Sequence, residues 1–262
     1  MIYFSDLDRT IICSNKLLKE NEEAICIEYV DNKETSYISN EIIENVKLLN
    51  STKLFIPATT RSLEQFKRIQ FNKFGINFKY SITSNGAHIL KDGEILDSWK
   101  EEVKLLKSMA TEMDILVDEY NNKFSELINP RIQKFKVVED NFFYLVLNKD
   151  NKSDITFLND FIKYIESNGW QYYKNCSKVY FLPKGITKEN AIEFLIRTEF
   201  NNEKFNALGD SCMDAGMLSI ANKAYIPKHG DISSSFKHSN LYVSEATGLE
   251  GIKEILDYII NN

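Results

Sequence analysis

The sequence predicts an α/β fold in which a parallel sheet is interrupted by an inserted α+β segment. From Met1 to about residue 86, short apolar runs alternate with segments of helical periodicity, and the alternation resumes after residue 184. Such alternation is typical of a doubly wound parallel sheet. Residues 87–183 instead contain strand pairs and helices in an irregular order. Because 262 residues with 43% hydrophobic content can form two domains, we predict a core of residues 1–86 and 184–262 and a second domain of residues 87–183.

The first half of the predicted core contains three buried strands that end in small or polar residues. They are MIYF, KLFIPATT and YSITSNGA. After the first strand, AICIEYVDNKETSYIS is predicted to form a hairpin that turns at DNK and serves as a flap beside a site. The helix NEIIENVKLLN begins near Ser39, which is a suitable N-cap, and a second helix is expected from Ser62 to Phe74.

The remaining segments complete the two predicted domains. The middle segment contains the strand pair HILKDGEILDS, a long helical stretch, the strand NFFYLVLN, a helix from Ser153 to Ser167 and the strand KVYFLP. The core then resumes with a helix from Lys188 to Phe200, the strand FNALGD, a helix from Ala215 to Ala221, the strand AYIP and a helix from Leu249 to Ile260. A module inserted into a split core is the simplest account of this order.

The charge and cysteine content restrict the setting of the protein. A formal net charge of -6 argues against a nucleic-acid partner or an anionic membrane surface, since both require a basic face. The four cysteines form no CxxC pair and are expected to be reduced thiols. Because a strand-like run without a basic segment opens the sequence and no stretch reaches about eighteen apolar residues, neither an export leader nor a membrane-spanning helix is expected. We therefore expect a cytoplasmic protein that binds a small substrate; its oligomeric state is left open.

Polar side chains that could take part in catalysis or ligand binding follow the predicted strands or open a predicted helix. They are Asp6 and Asp8, Thr59 and Thr60, Lys188, and Asp210 and Asp214. Taken singly, most are better explained as helix caps or solvated residues. Neighbouring carboxylates, however, repel each other unless a cation or a proton lies between them. Because ligands bind beyond the carboxyl ends of parallel strands, the joint pattern predicts one site.

Four segments in chain order resemble the four motifs of the haloacid dehalogenase (HAD) superfamily: FSDLDRT, FIPATTRS, GITKENAIEFL and ALGDSCMDAGML. The SNGA turn resembles the Cof-type, sucrose-phosphatase-like branch, subclass IIB. The resemblance covers the whole predicted core, whereas the middle segment matches only in length and coarse pattern. It implies a Rossmann-like core with a C2-type cap between the second and third motifs. It also implies dependence on Mg²⁺ and phosphate transfer through a phosphoaspartate.

The resemblance assigns roles to the first two motifs. Asp6 would be the nucleophile and a Mg²⁺ ligand. Asp8 would protonate the leaving oxygen and later activate water, while its backbone carbonyl contacts the metal. Thr59 would bind the transferring phosphoryl group. Thr60 stands where glycine is common, and both a phosphate contact and a structural hydrogen bond are open for its hydroxyl.

The same resemblance assigns roles to the last two motifs. Lys188 would offset charge on Asp6 and on the phosphate, and it fits the pattern better than Lys184. Asp210 would bind Mg²⁺ directly. Asp214 would act through a water molecule or by orienting Lys188. Oxygen ligands of this kind suit Mg²⁺, which shares its coordination shell with substrate phosphate.

Two further departures from the usual motifs concern Arg9 and Met213. Arg9 stands where glycine is common, and both a substrate contact and simple solvation are open for it. Met213 replaces an asparagine, which removes one polar partner from the surroundings of the expected metal.

The predicted function is a Mg²⁺-dependent phosphatase, a phosphoric monoester hydrolase, that acts on a small phosphorylated metabolite such as a sugar phosphate. One alternative is a phosphomutase, in which Asp6 passes the phosphoryl group to another hydroxyl rather than to water. The other is a non-catalytic phosphate-binding module, although retention of Asp8 argues against it. The sequence does not identify the substrate.

Overall fold

The computed structural model describes residues 1–20, 22–151 and 154–262, and the chain divides into two compact units. One unit comprises Met1–Leu96 with Lys188–Asn262, and the other comprises Asp97–Thr187. The predicted fold class is confirmed, because a parallel sheet with helices is interrupted in sequence by an α+β unit. The unit boundaries lie after Leu96 and Thr187, later along the chain than the predicted domain boundaries after residues 86 and 183. The role of the second unit as a cap stays a prediction.

The first unit is built on a sheet in which, among the described residues, five strands run parallel to their neighbours. In spatial order they are β14 (Leu241–Val243), β13 (Lys223–Ile226), β12 (Phe205–Leu208), β1 (Ile2–Ser5) and β4 (Leu54–Pro57). Strand β1 lies between β12 and β4, and its last residue, Ser5, lies opposite both Leu208 and Pro57. The ends of β12, β1 and β4 are therefore aligned at one edge. The short strand β14 was not among the predicted strands.

Two antiparallel arrangements accompany this sheet. The predicted hairpin is confirmed as β2 (Ile25–Val30) and β3 (Lys33–Ile38). Its turn residues Asp31 and Asn32 have φ angles of 49° and 60°, which belong to the turns that match strand twist. A second, three-stranded sheet contains β5 (Tyr80–Thr83), β6 (His88–Lys91) and β7 (Glu94–Ile95). Its pairing joins the predicted HILKDGEILDS strand pair to the YSIT strand and so to the first unit.

The helices of the first unit are α1 (Asn40–Thr52), α2 (Leu63–Lys67), α7 (Lys188–Thr198), α8 (Ala215–Ser219) and α9 (Gly248–Asn261). Ser39 caps α1 as predicted, since its hydroxyl accepts a hydrogen bond from the Ile42 amide at 3.3 Å. The predicted helix from Ser62 to Phe74 is wrong in length. After α2 the Gln70 amide donates to the Ile27 carbonyl at 2.8 Å, so the chain leaves the helical path to pair with the hairpin.

An apolar layer fixes the sheet against α1 and α9. It includes Val46 of α1, Phe55 of β4 and Ile252 of α9, all fully buried. Burial of such side chains stabilises the fold by about 1.5–3 kcal/mol each. This layer holds the strand ends rigidly in place.

The second unit has its own sheet and its own core. The antiparallel sheet has the order β10 (Trp170–Asn175), β11 (Lys178–Pro183), β9 (Phe142–Leu147) and β8 (Ile132–Val138). Its helices are α3 (Asp97–Ser108), α4 (Met113–Glu119), α5 (Ser125–Ile128) and α6 (Asn159–Ser167). The core is aromatic, with Phe143 stacked on Phe181 at a centroid distance of 5.0 Å. The predicted helix from Ser153 to Ser167 corresponds to α6, which begins at Asn159, and its first predicted residue, Ser153, lies outside the described residues.

Two further expectations concern cysteines and membranes. All four cysteines have free thiols, as predicted. In the parts of the chain that the structure describes, we find no helix with the length and apolarity needed to cross a bilayer.

Candidate active site

The carboxyl ends of the central strands bring the first and last motifs together. Asp6 follows β1, and its amide donates a hydrogen bond to the carbonyl of Leu208, the last residue of β12, at 2.9 Å. Asp210 follows the same strand after Gly209. A Cβ at Gly209 would lie 2.4 Å from the Cβ of Asp214, so only glycine permits this close approach. The parallel pairing of β1 with β12 therefore places Asp6, Asp210 and Asp214 at one end of the sheet.

Lys188 is the central cation of this group. It opens α7 and is fully buried, and its Nζ donates to Oδ1 of Asp6 and to Oδ1 of Asp214, both at 2.7 Å. Burial lowers the lysine pKa, but the charges and hydrogen bonds of Asp214 and Asp6 outweigh that effect and raise it. Lys188 is therefore a permanent positive charge. The competing candidate, Lys184, donates instead to the backbone carbonyl of Glu166 at 3.2 Å.

Asp214 is saturated with hydrogen bonds. Its Oδ1 accepts from Lys188, and its Oδ2 accepts from the amides of Asp210 and Ser211 and from the Ser211 hydroxyl, at 2.9–3.1 Å. The carboxylate thus orients Lys188 and folds the loop after β12 around itself. This geometry is consistent with an orienting role.

Three buried carboxylates converge next to Lys188. Asp6, Asp210 and Asp214 each offer an oxygen atom, and these atoms lie within 4.8 Å of one another. Burial raises the pKa of Asp6 to about 7; the charge of Lys188 opposes this change, and Asp214 and Asp8 reinforce it. Burial, with the charges of Asp6 and Asp214, raises the pKa of Asp210 to about 9 in spite of a neighbouring arginine, Arg9. The cluster therefore has an excess of negative charge, which a cation would relieve.

Asp8 does not belong to this cluster. Its carboxylate is half exposed and accepts a two-pronged ion pair from Arg61, with Nε–Oδ2 at 2.7 Å and Nη2–Oδ1 at 2.8 Å. The third nitrogen of Arg61, Nη1, lies 2.8 Å from Oε2 of Glu28 on β2. Glu28 is itself buried and accepts from the Ser36 hydroxyl of β3 at 2.6 Å. The hairpin thus supplies a carboxylate that holds the arginine bound to Asp8.

The second motif forms the neighbouring turn. Thr59 is fully buried, its amide donates to the Ile82 carbonyl at 2.9 Å, and its hydroxyl accepts from the Arg61 amide at 3.2 Å. Thr60 is half-buried in the same turn. An isolated parallel bridge between Ala58, the residue after β4, and Ile82 of β5 thus helps to determine the position of this turn.

Arg9 and Met213, the two unassigned departures, occupy different environments. Met213 is a buried apolar residue in the turn that precedes α8. Arg9 lies 3.1 Å from Asp210 and 3.0 Å from Asp231, measured from Nε and Nη1 to the nearest carboxylate oxygens. Arg9 is therefore ion-paired rather than simply solvated, and a contact with substrate stays a prediction.

Sequence reasoning missed several residues of this network, namely Arg61, Glu28, Ser36 and Asp231. Arg61 stands inside the quoted segment FIPATTRS, so its motif carried a signal. Glu28 carried a weaker one, since a carboxylate between the apolar residues Ile27 and Tyr29 interrupts a β-rich arm. Nothing in the local pattern marks Ser36 or Asp231.

The fold and this site together define a haloacid dehalogenase-like hydrolase. The model of that family matches residues 3–256, and the chain belongs to it. The resemblance noted in the sequence is confirmed. No curated protein shows a significant sequence match.

Solved structures share the fold over essentially the whole chain. A sucrose-phosphatase from Synechocystis sp. PCC6803, in complex with sucrose and phosphate, has a TM-score of 0.70 at 16% identity, covering 100% of this chain and 97% of that one. A HAD/COF-like hydrolase from Plasmodium vivax has a TM-score of 0.64 at 15% identity, covering 99% and 95%. A trehalose-6-phosphate phosphatase related protein has a TM-score of 0.58 at 17% identity, covering 99% and 96%. The chain thus has the fold of the Cof-type, sucrose-phosphatase-like branch.

Proposed function

We propose that this protein is a Mg²⁺-dependent phosphatase that hydrolyses a small phosphorylated metabolite through a phosphoaspartate on Asp6. The observation that carries the proposal is the buried Lys188, which bridges Asp6 and Asp214 beside Asp210. A carboxylate nucleophile and an anionic phosphate repel each other, and a fixed buried cation reduces that repulsion. A purely structural ion pair would not require three converging carboxylates.

The residues present fit a magnesium ion. Oxygen atoms of Asp6 and Asp210 belong to the converging group, and Oδ2 of Asp210 is buried without a hydrogen bond of acceptable geometry in the described chain. Hard oxygen donors of this kind are those that Mg²⁺ prefers. Asp6 and Asp210 would hold the ion directly, together with the backbone carbonyl of Asp8, and Asp214 would act through Lys188 or a water molecule. When bound, the ion would keep Asp6 ionised and offset charge on the phosphate.

The first half-reaction forms the phosphoaspartate. A carboxylate oxygen of Asp6 forms a bond to phosphorus while the bond from phosphorus to the leaving oxygen breaks. Protonated Asp8 gives its proton to that oxygen, so the alcohol leaves neutral. Lys188 and the hydroxyl of Thr59 bind the transferring group, and Thr60 adds a second hydroxyl beside it.

The second half-reaction releases phosphate. Asp8, now a carboxylate, takes a proton from water, and the water oxygen bonds to phosphorus as the bond to Asp6 breaks. The two hydrogen bonds from Arg61 stabilise the carboxylate form of Asp8, which the first step generates when Asp8 gives up its proton and which this second step requires. The partial exposure of Asp8 leaves it accessible to water.

The substrate class is proposed from the fold neighbours. The sucrose-phosphatase with this fold was solved with sucrose and phosphate bound, which supports a phosphorylated sugar as the substrate. We further propose that the inserted residues, predicted as 87–183, act as the cap that selects it. A cap that closed over the phosphoryl group would exclude water while the phosphoaspartate forms on Asp6.

The test is turnover of a generic aryl phosphate with Mg²⁺ present, for the wild type, Asp6→Asn and Asp31→Asn. Asp6→Asn should lose turnover by about a thousandfold or more, because nucleophile and metal act as a unit. Asp31→Asn changes an exposed carboxylate at the hairpin turn and should leave turnover unchanged. Full activity in Asp6→Asn, or in excess chelator, would refute the mechanism. Measuring free phosphate against phosphorylated acceptor separates hydrolysis from mutase transfer.

A further inference from the structure

Arg9 occupies a backbone position that an arginine does not favour. Its φ angle is 64°, in the left-handed region, which costs a non-glycine residue roughly 1–2 kcal/mol. The related motifs commonly have glycine here, and glycine would adopt this angle without strain. The contacts of the Arg9 side chain therefore need to be considered together with its backbone conformation.

The guanidinium of Arg9 is held from three sides. Its Nε lies 3.1 Å from Oδ2 of Asp210, its Nη1 lies 3.0 Å from Oδ1 of Asp231, and its Nη2 donates to the His229 carbonyl at 2.6 Å. The His229 ring completes the arrangement. Its Nδ1 accepts from the Gly248 amide at 3.1 Å, so its Nε2 carries the proton and donates to the Arg9 carbonyl at 2.8 Å. The side chain is therefore built into the site rather than extended into solvent.

The contact with Asp210 differs from a normal arginine–carboxylate pair. Nε of Arg9 and Oδ2 of Asp210 are both buried, yet neither has a hydrogen bond of acceptable geometry, although they are 3.1 Å apart. The attraction is therefore one of charge without directional bonding. Asp231 is different, because its side chain is 41% exposed and shares the same guanidinium. Arg9 thus forms one ion pair with Asp210, an expected metal ligand, and another with Asp231, an exposed carboxylate.

We infer that Arg9 lowers the affinity of the site for a divalent cation and that Asp231 lessens this effect. The guanidinium neutralises part of the charge of Asp210 and repels a second cation, so it weakens cation binding. Asp231 attracts the guanidinium and lessens that effect. The inference deepens the proposed function and rests on it, since it concerns the same magnesium ion.

The test measures cation binding directly, without turnover. Mg²⁺ is titrated by calorimetry into metal-free protein at low salt, and Mn²⁺ binding is followed by electron paramagnetic resonance. Arg9→Gly and Arg9→Asn both accept a left-handed backbone and remove the charge. Each should bind Mg²⁺ about tenfold more tightly, the size expected of one partly buried charge interaction. Asp231→Asn should bind it a few-fold more weakly.

Lys228→Ala is the matched control. Lys228 lies beside His229 in sequence, and its Nζ donates to the Glu245 carbonyl at 2.9 Å, so the variant removes a nearby positive charge that is bound to a backbone carbonyl rather than to Asp210. Its dissociation constant should stay within about twofold of the wild type, as expected for an exposed charge. Equal tightening in Lys228→Ala and Arg9→Gly would show an effect of net charge alone and would overturn the inference.

Other outcomes are equally decisive. A merely structural Arg9 would give unchanged or weaker binding in Arg9→Gly and Arg9→Asn, which overturns the inference. If those variants do not fold, Asp231→Asn decides it by the direction of its change. Turnover that depends on Asp6, combined with unchanged cation affinities, would leave the proposed function standing and refute only the role of Arg9. Tighter binding in the Arg9 variants, without turnover in any protein, would support the role of Arg9 and refute the proposed function.

Discussion

Lys188 is the buried cation that links two carboxylates of this site. It contacts Asp6 and Asp214 at equal distances of 2.7 Å, and neither Lys188 nor Asp214 has measurable side-chain exposure. A charge buried in this way is stable only when its partners are fixed, because desolvation costs several kcal/mol per ion. The residue types in the third and fourth motifs are therefore mutually dependent.

Replacing each of the two candidate lysines tests this dependence. Lys188→Ala should lower turnover of an aryl phosphate by about a hundredfold or more, because it removes the fixed positive charge beside Asp6. Lys184→Ala should change turnover by less than about threefold, since an exposed charge on a backbone carbonyl contributes little. Circular dichroism of both variants checks that they fold. The reverse ranking would show that the third motif is centred on Lys184.

The β2–β3 hairpin acts at the scale of an element. Its predicted turn is correct, but the hairpin was expected only as a flap and not as a source of charged residues. In the structure its Glu28 is buried and contacts Arg61, which in turn binds Asp8. The element therefore helps to determine the position of Asp8, the carboxylate proposed as the general acid and base.

Glu28→Gln tests the stabilising part of this role. The change keeps the size of the side chain but removes the charge opposite Arg61, so it should lower the free energy of unfolding by about 2 kcal/mol or more. Glu34→Gln on the same hairpin is the control, because Glu34 is exposed and should cost less than about 0.5 kcal/mol. Urea unfolding measures both. Equal effects would mean that the buried network adds nothing beyond an ordinary surface ion pair.

Element lengths show where local pattern fails. The helix predicted from Ser62 to Phe74 has the correct start, since Ser62 and Gln65 form a capping box, but it ends at Lys67. The hydrogen bond from Gln70 to Ile27 ends it, and that contact joins residues distant in sequence. Helical periodicity contains no information about such a contact.

The pH dependence of unfolding belongs to the whole molecule. In the folded protein the pKa values of Asp6 and Asp210 are raised to about 7 and about 9. Between the unfolded pKa of an aspartate, about 4, and these values, the native state binds more protons than the unfolded chain. The stability contributed by these two groups is therefore present at low pH and is lost as pH rises.

The contribution of Asp6 and Asp210 to the free energy of unfolding of metal-free protein should accordingly be smaller at pH 8.5 than at pH 5. Asp210→Asn removes one of the two titrations, so its loss of stability over this range should be smaller than that of the wild type. Urea unfolding in chelator at both pH values measures the difference. Identical losses in the two proteins would show that Asp210 does not titrate in this range.

Local patterns were sufficient for the α/β class, for the order of the four motifs and for the expectation that Asp6, Lys188, Asp210 and Asp214 lie together, whereas their catalytic roles stay a proposal. Hydrophobic periodicity and motif spacing are properties of short segments, and parallel pairing of strands then aligns their ends. Tertiary structure alone decided the charge partners, in which Asp8 binds Arg61 and Glu28 while Arg9 lies between Asp210 and Asp231. Ion pairs join residues that are far apart in the chain and depend on burial, which no local pattern encodes.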